Sequence, residues 1–404
     1  MSATRSSAMQ WAARYGQHPA FMLVLGYGGA YAPLSISVMP LLLHVWMRQL
    51  GASESMVGYL ASIASVGGAL GLFTSGWAVT RTTPQRTALL GMVVAIACDI
   101  ASIFTESMAN MAIIRFMGGC GAGLSLGVFV GYYARHQQAD RCFGLFSLFQ
   151  FGLPGIVFSL MPSLEARFGL SAIYLTLIVF GLLACFTTPL LTSEIPGTEA
   201  APVNIADART PLRISCVIVL LVTASVVYNM FAIGLSTYNV LYGLSLGYSK
   251  ENVEFALATG SASGIIGTVS MIIISNRFGR FRPAIGGLLL FICTIAAVII
   301  IEPSLNFLLF QFNATILAWS FGWPYVQAIQ SELDSTGRLA IYGMIATAAG
   351  SVAGPAVFAS LISGGNFRPA FLFALAASVT CLIMLLAPAL RADRLLLARL
   401  AARH

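Results

Sequence analysis

Residues 276–282 read NRFGRFR, and residues 76–86 read GWAVTRTTPQR. Each of these arginine-containing stretches follows one long apolar run and precedes another. Arg81 and Arg277, which hold corresponding places in the two stretches, lie 196 residues apart. A motif that returns at this distance indicates that the chain consists of two copies of one structural unit.

Two further pairs of residues support the duplication. Arg141 and Arg338, in the polar loops that come next in each half, lie 197 residues apart. Pro154 and Pro355, each inside an apolar run, lie 201 residues apart. Because the three offsets are nearly equal, we expect the two halves to contain the same elements in the same order.

Apolar runs of about 20 residues, the length that crosses a hydrocarbon core about 30 Å thick, fill most of both halves. The predicted spans are 20–46, 55–80, 87–105, 109–134, 142–161, 170–191, 213–243, 252–275, 284–302, 306–330, 339–363 and 369–390. We therefore predict an all-α polytopic membrane protein with twelve transmembrane helices in two pseudo-symmetric six-helix bundles. The predicted bundles are 1–191 and 213–404, joined by a hydrophilic cytoplasmic linker at 192–212.

The composition excludes the soluble classes of protein. Of the 404 residues, 58% are hydrophobic and 9% are charged, and the mean hydropathy is +0.87. A water-soluble domain carries about 25% charged residues, so this chain lacks the polar surface for one. Disorder is excluded because the hydrophobic fraction is too high. The seven cysteines are scattered at spacings that fit neither a metal site nor a redox motif, so no metal is expected.

The basic residues indicate an orientation in the membrane. The net charge is +7, but the basic residues are dispersed and form no tract, so we expect no binding of nucleic acid. With the N-terminus inside, sixteen basic residues fall in predicted inside segments and four in outside segments, namely Arg48, Arg167, Lys250 and Arg368. This asymmetry predicts that both termini are cytoplasmic.

The loop motif at 276–282 resembles the signature G-x-x-x-D-R-x-G-R-R of the major facilitator superfamily. Arg277, Gly279 and Arg280 match the signature, and Asn276 stands in the place of its acid. The resemblance covers essentially the whole chain, because the twelve spans and the central linker agree with it as well. Together these features indicate the superfamily, and they assign neither a subfamily nor a substrate.

Other segments carry weaker matches to the same family. The first-half loop keeps Gly76 and Arg81, although Thr80 replaces the acid of the signature. Residues 115–123 read RFMGGCGAG, similar to the R-x-x-Q-G-x-G-A-A element of the family. Residues 350–355 contain G-x-x-x-G-P, which resembles part of an element that exporters of the family carry in their fifth helix.

The resemblance implies a secondary transporter of bacterial type in the inner membrane, with a cavity lined by spans one, five, seven, ten and eleven. It also implies a gating role for the loop motif. Arg277 and Arg280 would cap helix ends and pair with an acid across the repeat boundary, forming a latch that opens during transport. Simple anchoring of the helix ends at the membrane surface is the other interpretation.

Arg115 lies inside a predicted span, where an unpaired charge costs roughly 2.5–3.5 kcal/mol. Asp99, on the preceding antiparallel span, should reach a similar depth. One interpretation is a structural ion pair between the two, and the other places Arg115 in the cavity, where it holds a substrate carboxylate or biases a titrating acid. His44 and Glu254 are further coupling candidates, although the simpler interpretation places both in the solvated rim of the membrane.

The cavity spans carry no ionisable side chain in their middle thirds, so we expect a neutral or singly charged ligand. They carry aromatic and amide side chains instead, which suit a small organic ligand with a ring or an apolar body. The candidate substrate-binding residues are Tyr27, Tyr31, Arg115, Gln150, Tyr228, Asn239, Tyr242, Gln311, Asn313, Trp319 and Trp323. Tyr228, Asn239 and Tyr242 fall on one helical stripe together with Phe231 and Leu235. Ordinary helix packing is the alternative for each of these residues.

Glycines form two regular seams. They recur every four residues along the fourth span, at Gly119, Gly123, Gly127 and Gly131, and along the eighth span, at Gly260 and Gly264. Small residues at this spacing let helices approach closely, so we predict packing and hinge surfaces at these positions.

We predict a secondary transporter that moves a small organic solute by alternating access. Proton-coupled uptake and uniport are both left open, and efflux of lipophilic compounds by proton antiport is the alternative within transport. A transporter-like receptor or assembly protein is the alternative of another class. The phosphate-binding motif G-x-x-x-x-G-K-[ST] is missing from the sequence, so a gradient rather than ATP is the expected energy source.

The expected partners are a small-molecule substrate, the lipid bilayer and protons, and a monomer is the expected functional form. We expect neither a cofactor nor catalytic residues, because the predicted spans lack a cluster of acids, histidines or nucleophiles that could perform chemistry. An enzyme is therefore not expected.

Overall fold

The computed structural model describes residues 18–136, 139–191, 215–274, 277–334 and 338–401. Asn276 and the predicted linker at 192–212 lie outside these ranges. The described residues are almost entirely helical. The helices are α1 Pro19–Tyr31, α2 Leu34–Ser37, α3 Met39–Leu50, α4 Glu54–Arg81, α5 Pro84–Ile103, α6 Met108–Arg135, α7 Ala139–Phe168, α8 Ala172–Cys185, α9 Cys216–Thr237, α10 Asn239–Ser245, α11 Lys250–Ile274, α12 Phe281–Ile300, α13 Leu305–Leu333, α14 Arg338–Leu361 and α15 Arg368–Ala401.

Each predicted span coincides with one helix or with a series of short helices. The predicted first span is interrupted twice, because Pro33 cannot donate a backbone hydrogen bond and Pro40 favours the first turn of a new helix. The seventh span is divided at Tyr238 into α9 and α10, with no proline or glycine at the break. By length and composition, nine segments of the described chain could cross a membrane, and one of them, Arg141–Leu190, covers α8 and all of α7 except its first two residues.

The contacts between Cα atoms group the chain into two compact units. The first unit comprises Met1–Ala52 and Ile63–Pro202, and the second comprises Ser53–Ser62 and Val203–His404. The first residues of α4 therefore cluster with the second unit. Within that unit, the Tyr238 hydroxyl donates to the carbonyl oxygen of Glu54 at 3.1 Å, and the Gly365 amide donates to its carboxylate at 3.2 Å.

Glycines bring α4 and α6 into backbone contact. A Cβ atom at Gly71 would lie 2.0 Å from the carbonyl oxygen of Cys120, and one at Gly123 would lie 2.0 Å from that of Gly68. A Cβ atom at Gly119 or Gly127 would likewise collide with α4, whereas a Cβ at Gly131 would meet open space. The predicted seam on α6 therefore includes three of its four glycines.

The second unit contains close contacts of the same kind. On α11, a Cβ at Gly260 or Gly267 would press against side chains of α13. On α14, a Cβ at Gly350 would lie 2.3 Å from the carbonyl oxygen of Val226, and one at Gly354 would lie 2.5 Å from that of Met230. The glycines of the G-x-x-x-G-P element therefore pack α14 against α9.

We predict that Gly71→Ala lowers the stability of the protein and that Gly76→Ala, on the same helix, does not. The methyl group at position 71 has no room beside the Cys120 carbonyl, so α4 and α6 must separate at a cost of about 1–3 kcal/mol. The methyl group at position 76 meets nothing within 4 Å, and alanine favours the helix. Thermal unfolding in detergent measures both variants, and equal midpoints would contradict the tight contact.

Candidate functional site

The second unit contains a small cavity beside Tyr238, where α9 ends and α10 begins. Its volume is about 10 Å³, close to what one water molecule requires. The cavity is lined by Leu235, Tyr238, Asn239, Tyr242, Phe358, Phe367, Ala370 and Phe371. Five of these residues are aromatic and none is charged, so the lining is apolar except for the amide and the two tyrosine hydroxyls.

Asn239 supplies the amide of this lining. The residue is only 3% exposed, and its side chain has no hydrogen-bond partner among the described residues. A buried polar group that lacks a partner costs about 1–3 kcal/mol, so nearly all such groups in folded proteins are paired. The Asn239 amide is therefore available for a hydrogen bond to a ligand in the cavity.

The aromatic side chains form walls that contact one another mainly edge to face. The ring of Tyr242 lies 4.8 Å from that of Phe371 and 5.5 Å from that of Phe367, both T-shaped. Tyr238 stacks on Phe358 with 6.3 Å between ring centres. Its hydroxyl is turned to the Glu54 backbone, so it is already bonded. The rings offer a ligand apolar faces and polarised edges.

The predicted stripe on the seventh span does not form one surface. Tyr228 and Phe231 pack in the core, where the Tyr228 ring lies 5.2 Å from that of Trp323 and the Phe231 ring lies 5.2 Å from that of Phe291. The Tyr228 hydroxyl is buried and has no hydrogen-bond partner in the described part of the chain. The other three members of the stripe, Leu235 at the end of α9 and Asn239 and Tyr242 on α10, line the cavity.

The candidates on α13 have different surroundings. Gln311 is buried, and its Oε1 has no hydrogen-bond partner within the described ranges. Asn313 accepts a hydrogen bond from Ser263 at 2.6 Å and donates one to Thr259 at 3.0 Å, so it holds α11 against α13. Trp319 is half-buried.

Apart from Arg115, three substrate-binding candidates lie in the first unit. The Tyr27 hydroxyl donates to the carbonyl oxygen of Phe180 at 2.9 Å, and its ring meets that of Phe149 edge-on at 5.7 Å. Tyr31 is buried, and Gln150, next to Phe149 on α7, is half-buried. The structure thus brings Tyr27 close to α7 and α8, and the Tyr31 ring lies against Gly181 of α8.

Arg115 and Asp99 form an ion pair inside the first unit. Both residues are 5% exposed, and Arg115 Nη1 lies 3.0 Å from Asp99 Oδ1. Arg115 Nη2 donates to the carbonyl oxygen of Cys98 at 3.0 Å and to the Ser102 hydroxyl. The guanidinium carbon also lies 5.5 Å from the ring centre of Tyr174. These contacts favour the structural interpretation of Arg115.

Gln49 extends this polar cluster, and the sequence analysis did not select it. Its Oε1 accepts a hydrogen bond from Tyr174 at 3.0 Å, and its Nε2 donates to the carbonyl oxygens of Ser102 and Thr105, each at 2.8 Å. The amide thus joins α3, α8 and the C-terminal end of α5. Its place at the end of an apolar run next to Arg48 is typical of a solvated helix end, so the sequence carried little signal for this role.

Glu254 is 1% exposed, which corrects the interpretation of this residue as a solvated rim group. Lys250, one turn earlier on α11, places its Nζ 3.7 Å from the Glu254 carboxylate. The lysine supplies the positive charge that lets the carboxylate be buried. His44, on α3, is half-buried.

The second-half loop motif is bound inside its own unit. Arg280 Nη2 lies 3.5 Å from Glu332 Oε1, and the backbone amides of Arg280 and Phe281 both donate to Asp393. Gly279 has a φ of +73°, and a side chain there would collide with the Asp393 carboxylate. The acid that pairs with Arg280 here comes from α13 of the same repeat, and the latch across the repeat boundary stays a prediction.

The remaining members of the loop motif are more open. Arg81 lies over the ring of Trp77, with its guanidinium carbon 4.7 Å from the ring centre. Gly76 has open space around it, and Arg277 is exposed. In the part of the chain that the structure describes, no group of three His, Cys, Asp or Glu side chains is placed to hold a metal ion.

We predict that Arg115→Ala destabilises the protein by about 3–5 kcal/mol, because it leaves Asp99 buried without its counter-charge. The double variant Asp99→Asn/Arg115→Gln removes both charges and should recover most of the folded protein. Thermal unfolding and size-exclusion chromatography measure this recovery. A double variant that folds well but binds or moves no solute would instead show that Arg115 serves the ligand.

Comparisons with known proteins agree with this architecture. No curated protein sequence matches the chain. The inward-open xylose transporter XylE from E. coli superposes with a TM-score of 0.72 at 15% identity, covering 90% of this chain and 95% of that chain. A mutant form of the nucleoside transporter NupG gives 0.72 at 11% identity, covering 92% of this chain and 99% of that chain.

A third structure, a mutant form of the peptide transporter POT in complex with alafosfalin, gives a TM-score of 0.71 at 13% identity and covers 93% of this chain and 95% of that chain. At these low sequence identities, the structural similarity shows only that the fold is shared. The sequence profile of the Major Facilitator Superfamily matches residues 20–334, which is well over half of the chain. With the helical architecture, the duplicated loop motif and these matches, the chain belongs to the major facilitator superfamily.

Proposed function

We propose that the protein is a secondary transporter that carries a small organic solute, neutral or singly charged, with an aromatic or apolar body. Its two six-helix bundles, 1–191 and 213–404, expose one binding site alternately to each side of the membrane. Membership of the family and the transporters of similar fold support transport rather than catalysis. The solute class rests on the lining of the cavity beside Tyr238, which must widen beyond its volume of about 10 Å³ to admit a solute.

The composition of this cavity carries the proposal. A solute with several charges would have to leave water for a lining that offers it no counter-charge, at a cost that aromatic rings and one amide do not offset. An aromatic or apolar group is favoured by the same surface, since it buries against the rings. Asn239 then fixes the orientation of the solute with one hydrogen bond. Tyr27, Tyr31 and Gln150 in the first unit and Gln311 in the second stay predicted substrate-binding residues.

In this proposal, Glu254 is the residue whose protonation is coupled to transport. In the first unit Arg115 holds the Asp99 carboxylate at 3.0 Å, whereas Lys250 lies 3.7 Å from the carboxylate of Glu254. Glu254 follows Val253, and α10 packs closely there, because a Cβ at Gly243 would lie 2.6 Å from the Val253 side chain. Glu254 therefore lies beside the short helix that carries Asn239, where its protonation can influence the site. One of the structures of similar fold is named a D-xylose-proton symporter, which agrees with such coupling.

We propose the bacterial inner membrane as the location, and the arginine asymmetry supports an orientation with both termini in the cytoplasm. The central linker would then be cytoplasmic as well. We propose a functional monomer, since each chain carries both halves that alternating access requires.

We predict that Asn239→Ala weakens solute binding about 3- to 10-fold, the effect of losing one neutral hydrogen bond. A thermal-shift screen of the purified protein against sugars, nucleosides, aromatic compounds and organic acids first identifies the solute. Its affinity is then measured for both proteins, with Asn306→Ala, an exposed amide of the same unit, as the control. An unchanged affinity would show that Asn239 on α10 does not contribute to the binding site. Binding of the solute without flux in vesicles would favour a receptor over a transporter.

We predict that Glu254→Gln abolishes solute accumulation driven by a pH gradient but leaves exchange of solute across proteoliposomes. The amide has nearly the shape of the carboxylate and cannot carry the proton. Glu251→Gln, an exposed acid on the same helix, is the matched control and should accumulate solute like the unmodified protein. Full accumulation by Glu254→Gln would exclude Glu254 as the coupling group.

A further inference from the structure

The last helix is longer than a membrane crossing requires. With 34 residues, α15 extends about 51 Å, whereas a hydrocarbon core about 30 Å thick needs about 20 residues. Pro388 lies inside the helix at the point where the predicted span, 369–390, is nearly complete. We call residues 389–401 the terminal extension of α15. By the arginine asymmetry, it lies on the side that is predicted to be cytoplasmic.

One face of the terminal extension is packed against the second unit. Ala389 and Ala392 are fully buried, and Leu396 is 8% exposed. Asp393 accepts hydrogen bonds from the backbone amides of Arg280 and Phe281 and thereby caps the N-terminal end of α12. The extension is therefore fixed against the loop that carries the motif NRFGRFR.

The other face continues the exposed apolar surface of the span. Ile383, Leu386, Leu390 and Leu397 follow one another at helical spacing and are all exposed, Leu397 at 65%. Arg394 lies four residues after Leu390, so its position falls beside this apolar stripe. An exposed stripe of this kind beside an arginine is typical of a helix at a membrane surface.

Four exposed arginines surround this contact. Arg391 and Arg394 flank Asp393, and Arg277 and Arg282 flank Arg280, which Asp393 binds through its backbone. Within the described residues, none of the four makes an ion pair. The two neighbouring acids are already engaged, Asp393 by the amides of α12 and Glu332 by Arg280. Counting the described residues, the surface therefore carries a net positive charge next to an apolar stripe.

We propose that the terminal extension and the loop 277–282 form a docking surface for an anionic lipid headgroup. The arginines bind the phosphate of the lipid, and the stripe that ends at Leu397 contacts its acyl chains. Charge complementarity favours an anionic membrane lipid, and continuity of the stripe with the span favours a lipid over a soluble anion. This surface lies apart from the cavity at Tyr238, so the inference is independent of the proposed solute.

The test measures binding of fluorescent phosphatidylglycerol to the full-length protein in detergent, with fluorescent phosphatidylcholine as the comparison lipid. Each arginine near an anionic lipid is worth about a fivefold change in affinity. Arg391→Gln/Arg394→Gln should therefore weaken phosphatidylglycerol binding by at least fivefold, and raising NaCl from about 0.05 to 0.5 M should weaken it as well. The control Arg167→Gln/Arg368→Gln removes two exposed arginines elsewhere, Arg368 at the opposite end of α15, and should bind normally.

Two further arms separate the outcomes. Arg277→Gln/Arg282→Gln should also weaken binding, and an unchanged unfolding midpoint of each variant without lipid shows that the fold is intact. Equal binding of the two lipids, equal loss in the Arg167/Arg368 control, or full competition by soluble glycerol phosphate would overturn the proposal. In the last case the surface would be a site for a free phosphate.

Discussion

A charge or amide inside a bilayer must find its partners within the protein, because water is not there to supply them. The cluster around Arg115 meets this requirement in the first unit. One guanidinium binds Asp99, a carbonyl oxygen and a hydroxyl, and Gln49 joins the neighbouring helix ends to the same cluster. In the second unit, Asn313 binds α11 in a comparable way. Such bonds are directional, so they fix how each helix is rotated against its neighbours.

The sequence predicted the features that depend on local pattern. The spans follow from apolar length, the close packing of α6 from its glycine spacing, and the proximity of Asp99 and Arg115 from the antiparallel order of two spans. The burial of Glu254, the capping of α12 by Asp393 and the role of Gln49 depend on side chains far apart in the chain. No periodicity encodes such contacts, so the structure was needed to find them.

The candidate cavity illustrates the same limit. Asn239 and Tyr242 were identified by their helical spacing, but the break at Tyr238 separates them from Tyr228 and carries no sequence signal. The break matters because it places Asn239 at the first turn of a short helix, next to rings contributed by α14, α15 and the turn between them. Interrupted helices of this kind are where transporters commonly form their binding sites.

The backbone contact between α4 and α6 limits how the first unit can deform. Sliding one helix along the other by a single residue advances it about 1.5 Å and turns it by about 100°, which would drive a side chain into a carbonyl oxygen of its neighbour. The two helices therefore move together as one rigid body. Bending in this unit is left to places such as the interruptions between α1 and α3, where prolines have already removed backbone hydrogen bonds.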